Sequence, residues 1–158
     1  MEFTTLLEHF GKKVGLNNLM QDEQGTCSLG FDDMVVDMKV TGDERHLMLF
    51  GKVASLPEER QDLLLPQILG GNFLYQGTNG ASLGLDVENK VLYLQQLEAL
   101  DILDDEAFEK LLEDFTNTLE TWKNILDEFV RSTPTQEESP REEQGVLRFG
   151  EGMGNFRV

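Results

Sequence analysis

Apolar and polar positions repeat along this chain with two different periods, and the changes of period mark its elements. Phe3, Leu6, Leu7, Phe10 and Val14 recur every three or four residues, so they form one stripe on a helix over 3–14. Lys12 and Lys13 fall in its last turn, at the negative end of the helix dipole, and Gly15 is a natural stop beyond it. The period then drops to two. Residues 22–25 are turn-like and 26–31 read as a strand; Asp32-Asp33 turns the chain. Met34, Val36, Met38 and Val40 alternate with Val35, Asp37 and Lys39. A turn at 41–44 leads to a third strand over 47–54, with Leu47, Leu49, Gly51 and Val53 on one face. Gly51 lacks a side chain there, which predicts a bulge or a close backbone contact. A further short strand is expected near Leu19-Met20.

Pro57-Glu58-Glu59 reads as the first turn of a second helix, with Leu64, Leu65, Ile68, Leu69 and Phe73 on its apolar side. Pro66 places its well-formed part near that residue, and Gly70-Gly71 weakens it. Asn79-Gly80 marks a turn, and 82–87 and 90–97 form a hairpin around Glu88-Asn89. Asp104, Asp105 and Glu106 open the last helix at the positive end of its dipole. Phe108, Leu111, Leu112, Phe115, Leu119, Trp122, Leu126 and Phe129 follow at helical spacing, a stripe that needs a sheet or helix to cover it. The order α-β-β-β-α-β-β-α predicts an α+β fold, a twisted antiparallel sheet flanked by helices.

Composition shifts near Ser132. The stretch STPTQEESPREEQG holds no large apolar residue and buries too little to offset its ordering entropy. Val146, Leu147, Phe149, Met153, Phe156 and Val158 then return among glycines, either as a docking peptide or as a plain tail. The expected division is a domain over 1–131 and a flexible acidic, Gly-rich C-terminal tail over 132–158.

The chain carries 30 acidic and 13 basic residues, a net charge of −17. Phosphate backbones and anionic membranes are repelled by such a charge, so neither nucleic acid nor membrane is expected as a partner. The opening residues do not read as a signal peptide, and no stretch has the ~18 apolar residues of a membrane span. A single cysteine, Cys27, fits a reducing compartment. A cytoplasmic protein follows from these features.

Catalytic chemistry is not apparent. His9 and His46 stand apart from any metal-like spacing, and Cys27 reads as a small hydrophobe in a strand. The acid pairs Asp32-Asp33, Glu58-Glu59 and Asp104-Asp105 sit where turns and helix starts need them. Gly150, Gly152 and Gly154 lack the strand, helix and lysine of a phosphate loop. No metal, cofactor or enzyme activity is expected. The opening helix and first strands instead hold apolar side chains, several of them adaptable methionines, that suit either a core or a surface accepting apolar partners.

Six segments carry a family resemblance: LLEHFGKKVGL at 6–16, DEQGTCSLGFDD at 22–33, LMLFGKV at 47–53, LPQILGGNFLY at 65–75, NGASLGLDVENKVLYLQQL at 79–97 and FEKLLEDFTNTLETWKNIL at 108–126. In this order the chain resembles the class I type III secretion chaperones (CesT/SicP-like, Tir chaperone family) over residues 3–130. The resemblance implies a bacterial cytoplasmic homodimer. It would hold the N-terminal chaperone-binding segment of a secreted effector in a non-globular state and present it to the secretion ATPase. It also implies that the effector strand extends the sheet edge, with apolar side chains entering grooves beside the first helix. By position, Leu6, Phe10, Val14, Leu19, Met20, Leu29, Phe31, Met34 and Val36 would bind the effector. Leu49, Gly51, Val53, Leu65, Ile68, Leu69 and Phe73 would form the dimer interface. A protein of the same fold that binds a type III secretion regulator fits the same residues.

Overall fold

The elements run α1 (Phe3–Val14), β1 (Thr26–Phe31), β2 (Met34–Val40), β3 (His46–Ser55), α2 (Gln61–Asn72), β4 (Ser82–Asp86), β5 (Val91–Ala99) and α3 (Asp105–Arg131). Short 3₁₀ turns follow α2 at Phe73–Tyr75 and β5 at Leu100–Ile102. This computed structural model describes residues 2–16 and 18–132, so the expected tail lies outside the described residues apart from Ser132. The strands form one antiparallel sheet in the order β1-β2-β3-β5-β4, as the α+β reading requires.

Period-two alternation sets which face of the sheet is dry. Cys27 and Leu29, Met34, Val36 and Met38, Leu47, Leu49 and Val53, and Leu92 and Leu94 are all buried. Against them α3 lays Phe108, Leu112, Phe115, Leu119, Trp122 and Leu126. Each such side chain contributes about 1.5–3 kcal/mol by leaving water. Asp104 caps α3, its carboxylate accepting from the Ala107 N–H at 2.8 Å. The opposite face keeps Val35, Lys39, Lys52, Gln95 and Leu97 exposed.

Helix α1 packs beside the start of α3. The rings of Phe3 and Phe10 stand edge-on to Phe108, with centroids 6.3 and 5.9 Å away. His9 meets Asp105 at 2.9 Å and Lys13 meets Glu109 at 2.6 Å, so the two helices run side by side in the same direction. Both pairs are partly exposed, and their contribution is small.

Two glycines set the close approaches. A Cβ on Gly51 would sit 2.6 Å from Leu119 Cδ2, so α3 crosses β3 at that residue. The close contact therefore falls at Gly51, while the register shift falls beyond it, between Lys52 and Ala54. A Cβ on Gly71 would sit 2.3 Å from Trp122 Cζ2, and Trp122 Nε1 donates to the Gly77 carbonyl at 2.8 Å. Together these contacts pin the end of α2 to α3.

Four expectations need correction. Helix α2 begins at Gln61, not at Pro57, because Arg60 takes a left-handed φ of 58°. Its guanidinium stacks on the Phe129 ring, 4.5 Å from the centroid, and donates to the Phe129 carbonyl. Pro66 lies inside the helix rather than near its start, and Phe73 lies just beyond the helix end. No strand forms at Leu19-Met20; Leu19 folds in against the core and Met20 is exposed.

Candidate functional site

The fold leaves two sheet edges, β1 and β4, and the direction of their backbone groups decides what each can do. In a strand, successive residues point their N–H and C=O to opposite sides. The two-residue turn Asp32-Asp33 pairs Phe31 with Met34, so Phe31, Leu29 and Cys27 bond inward to β2. Thr26, Ser28 and Gly30 therefore point outward. Thr26 is already engaged: its N–H donates to Asp22 Oδ1 at 2.9 Å, and its carbonyl accepts from the Asp22 N–H at 2.8 Å. Ser28 and Gly30 are exposed, and their backbone groups have no partner among the described residues. A Cβ on Gly30 would meet nothing within 4 Å.

The β4 edge is occupied over its first half, while Leu85, 38 % exposed, has no outward backbone partner among the described residues. The outward residues of this edge are Ala81, Leu83 and Leu85. The Ala81 N–H donates to the Thr78 carbonyl at 3.0 Å. The Asn72 side chain takes both groups of Leu83, accepting from its N–H at 2.7 Å and donating to its carbonyl at 3.0 Å. An asparagine amide presents the same donor and acceptor pair as a strand residue, so Asn72 stands where another strand would pair. Gly71 next to it, seated against Trp122, fixes where that amide sits.

Apolar side chains lie around α1 and the approach to β1. Gly15 ends α1 in the left-handed region at φ 77°. The chain then folds back over Gly11, where a Cβ would sit 2.6 Å from the Leu16 carbonyl oxygen and 3.4 Å from Leu19 Cβ. Val14, Leu16 and Met20 are exposed there, Met20 to 69 %. Phe10, Leu19 and Phe31 are half-buried against the core.

Not every residue assigned to effector binding is accessible. Leu6, Leu29, Met34 and Val36 are buried inside the protomer, because they lie on the face of α1 or of the sheet that α3 seals. Their side chains build the core and cannot meet a partner in this conformation. Phe10, Val14, Leu19, Met20 and Phe31 remain accessible in whole or part. The residues assigned to a dimer interface divide in the same way. Leu49, Gly51 and Val53 lie beneath α3, and Ile68 is buried. Leu65, Leu69 and Phe73 are exposed, and Leu63, Leu74 and Tyr75 join them in an uncovered apolar surface. Helix α2 carries leucines on all sides, so no single stripe showed which would face inward.

Asp22, Asn72 and Leu16 are features that pattern reading missed. Asp22 and Asn72 act through side-chain bonds to strand backbone, which leave no periodic signal. A cleft of about 1120 Å³ lies elsewhere, between the start of α1 and the β2–β3 turn. It is lined by Phe3, Gln24, Lys39, Arg45, His46 and Asp101 among others. These residues mix both charges, without a convergent catalytic set. Among the described residues no group of three His, Cys, Asp or Glu side chains could hold a metal ion. His46 faces Asp43 at 3.3 Å, and Cys27 is buried. Burial, with help from Asp22 and Asp37, pushes the Cys27 thiol pKa up and so disfavours the reactive thiolate. No helix among the described residues is long and apolar enough to cross a membrane.

An antiparallel sheet with one edge blocked at its middle by a side chain and the other open beside exposed apolar residues defines a fold equipped to bind extended polypeptide. The chain belongs to the Tir chaperone protein (CesT) family, whose model matches residues 5–123. It is 26% identical over 122 residues to a Tir chaperone of Citrobacter freundii, covering 77% of each chain. It is 24% identical over 121 residues to the Tir chaperone of Escherichia coli O157:H7, again covering 77% of each. Among solved structures it is similar to a chain of the ExsC-ExsE complex, with a TM-score of 0.66 and 25% identity, covering 80% of this chain and 97% of that one.

Proposed function

We propose that this chain is a type III secretion chaperone. It binds the N-terminal chaperone-binding segment of a secreted effector, keeps it non-globular and competent for export, and catalyses no reaction. The observation that carries this reading is the open β1 edge, where Ser28 and Gly30 offer backbone groups unpaired among the described residues. Hydrogen bonds to such an edge supply sequence-tolerant affinity, and apolar contacts at Phe10, Val14, Leu16, Met20 and Phe31 supply selectivity. Family membership supports it, as do relatives that are Tir chaperones. The protein works in the bacterial cytoplasm, where unexported effectors are found and a lone thiol stays reduced.

The working unit is a homodimer through the exposed α2 surface of Leu63, Leu65, Leu69, Phe73, Leu74 and Tyr75. An apolar surface of this kind on an acidic protein marks a contact surface. The secretion ATPase then receives the loaded dimer.

The test begins with affinity capture from the native host and identification of the bound effector. Val14→Asp with Met20→Asp, both at exposed positions, should abolish effector binding while light scattering still reports a dimer. Leu69→Asp with Phe73→Asp should give a monomer. Unchanged effector affinity in the first variant would remove the groove; an unchanged mass in the second would remove the interface. A captured partner that regulates secretion and is not itself exported would favour the regulatory reading.

A further inference from the structure

We infer that β4 is a second strand-accepting edge, and that pairing of two copies through α2 and the turn after it keeps that edge blocked. The inference rests on the dimer reading just argued and adds what the dimer controls.

The blocking amide sits on a strained support. Helix α2 stops at Asn72; Phe73 turns to extended backbone at ψ 117°, and Leu74 and Tyr75 then take left-handed φ of 52° and 56°. In that region Cβ crowds the backbone, so two successive residues other than glycine are strained. Phe73, Leu74 and Tyr75 are all exposed, so no burial of their side chains within the protomer offsets the strain. Just beyond, Thr78 is fully buried and its hydroxyl has no hydrogen-bond partner among the described residues, a second cost at the same place.

The strained turn ties a knot. The Gly77 N–H donates to the Gly71 carbonyl at 3.1 Å, and a Cβ on Gly77 would sit 2.9 Å from Gly71 Cα. Trp122 closes the knot, packing on Gly71 and donating to the Gly77 carbonyl. Had α2 continued through these residues, six residues of helix would carry Gly77 about 9 Å along the axis from Gly71. Knot and continued helix therefore exclude each other. Asn72 lies between Gly71 and the turn, so the knot decides whether its amide faces Leu83.

The charge pattern indicates what covers the turn. Residues 63–85 hold no charged side chain, although the chain carries 30 acidic and 13 basic residues. A second copy has the same net charge of −17 and is repelled from acidic faces, so this uncharged stretch is where it can approach. The exposed Leu63, Leu65 and Leu69 of α2 continue into Phe73, Leu74 and Tyr75 of the turn. Burying the turn against a second copy supplies the stabilisation that the protomer lacks and shifts the balance to the knot.

Strand β4 itself lacks the usual protection. Edge strands are commonly blunted by charge or proline, and residues 82–85 have neither. Leu85 already has no outward partner among the described residues. Release of Leu83 therefore gives β4 two consecutive open outward residues, as β1 has in Ser28 and Gly30. A separated protomer accepts extended polypeptide at both edges, whereas pairing keeps the middle of β4 blocked.

The test is residue-resolved amide exchange at Leu83 in the full chain, read beside Leu49 in the core. Leu63→Asp with Leu65→Asp breaks the pairing at a distance from the turn. Light scattering should report half the mass, and the Leu83 amide should exchange about tenfold faster or more with Leu49 unchanged. Dilution of the unaltered chain to single protomers should do the same, and it decides the matter if Leu49 quickens in the variant. Adding Leu74→Gly and Tyr75→Gly, which take positive φ without strain, should restore slow exchange at Leu83 in the single protomer. A synthetic peptide of residues 91–99, the strand that β4 pairs with on its inner side, should slow Leu83 and Leu85 together in the Leu63→Asp, Leu65→Asp protein. The same peptide should leave Leu85 fast in the unaltered dimer. Half the mass with Leu83 still slow overturns the inference and leaves the dimer standing. So does a fast Leu83 that the glycines do not slow, because strain is then not the link. A peptide that leaves Leu83 and Leu85 fast overturns the second edge. An unchanged mass removes the α2 interface, and this inference with it.

Discussion

The first and last edges of the sheet face the same chemical problem and are finished to different extents. At β4, Asn72 fills both backbone groups of Leu83 and Thr78 takes the N–H of Ala81. At β1, Asp22 fills only Thr26 and leaves Ser28 and Gly30 outward and exposed. An unpaired edge is a hazard for aggregation, and proteins usually blunt it. A protein that accepts a strand has to tolerate that hazard, and this one leaves more of it at β1, where two outward residues are open, than at β4, where Leu85 is. Blocking the middle of the other edge at Leu83 hinders a bound polypeptide, or another copy, from adding at both ends. The comparison can be broken at three points.

The largest effect is expected at Gly71. Gly71→Val places atoms where the Trp122 indole now packs, at 2.3 Å from Cζ2. Overpacking of this kind costs about 1–3 kcal/mol. It also strains the Trp122–Gly77 hydrogen bond and shifts Asn72 from β4. Denaturant unfolding should show the loss, and amide exchange at Leu83 should quicken more than at Leu49. If Leu83 stays protected, Gly71 does not hold the clamp.

Asn72→Ala removes the clamp alone. The exposed edge lets water take over part of the pairing, so the stability loss should be about 1 kcal/mol. The informative readout is stoichiometry. With Leu83 released, effector segments should bind at two sites per protomer, or the protein should self-associate through β4, and calorimetry with light scattering separates these. One site per protomer and no added association would show that Asn72 does not enforce the asymmetry.

Gly30→Pro closes the open edge instead. The Gly30 N–H points outward, so proline removes no bond of the sheet and the melting temperature should barely move. An incoming strand, however, loses a donor and meets the ring. Effector affinity should fall about tenfold or more, equivalent to about 1.4 kcal/mol. An unchanged affinity would move the docking site away from β1.

Much of this arrangement was legible in the sequence. The element order follows from switches between helical and strand periodicity, and the residues from Phe108 to Leu126 mark the dry side of α3. The asymmetry of the edges was not legible. It depends on where Asn72 and Asp22 place one amide and one carboxylate relative to strand backbone, and a polar residue in a loop carries no period. Accessibility was hard for a related reason. Leu29, Met34 and Val36 alternate as a groove lining would, but alternation says only that they share a face. That face lies under α3. On α2, leucines on every side hid which would be core, as Leu64 and Ile68 are, and which would be left exposed, as Leu63 and Leu69 are.

The smallest effect sharpens the comparison from inside β1. Cys27 is buried on the inward side of the edge strand, and its thiol pKa is raised by burial first, then by Asp22 and Asp37. Asp22→Asn removes one of these charges, while its remaining amide oxygen can still accept from Thr26. The thiol pKa should therefore drop towards the ordinary cysteine value but stay above it, because burial remains. The sign for stability follows from protons bound. In the folded chain the raised pKa keeps Cys27 protonated where the unfolded thiol, near 8.5, has begun to ionise. Its contribution is thus constant below that pH and is lost as pH rises towards the folded value. In Asp22→Asn this alkaline loss should be smaller. Thermal unfolding of both proteins at pH 7 and above pH 9 checks it, with Cys27→Ala as the control that removes the term. If the two proteins lose equal stability on the alkaline side, the carboxylate that closes Thr26 does not act on Cys27, and the end of the open edge is electrostatically separate from the core beneath it.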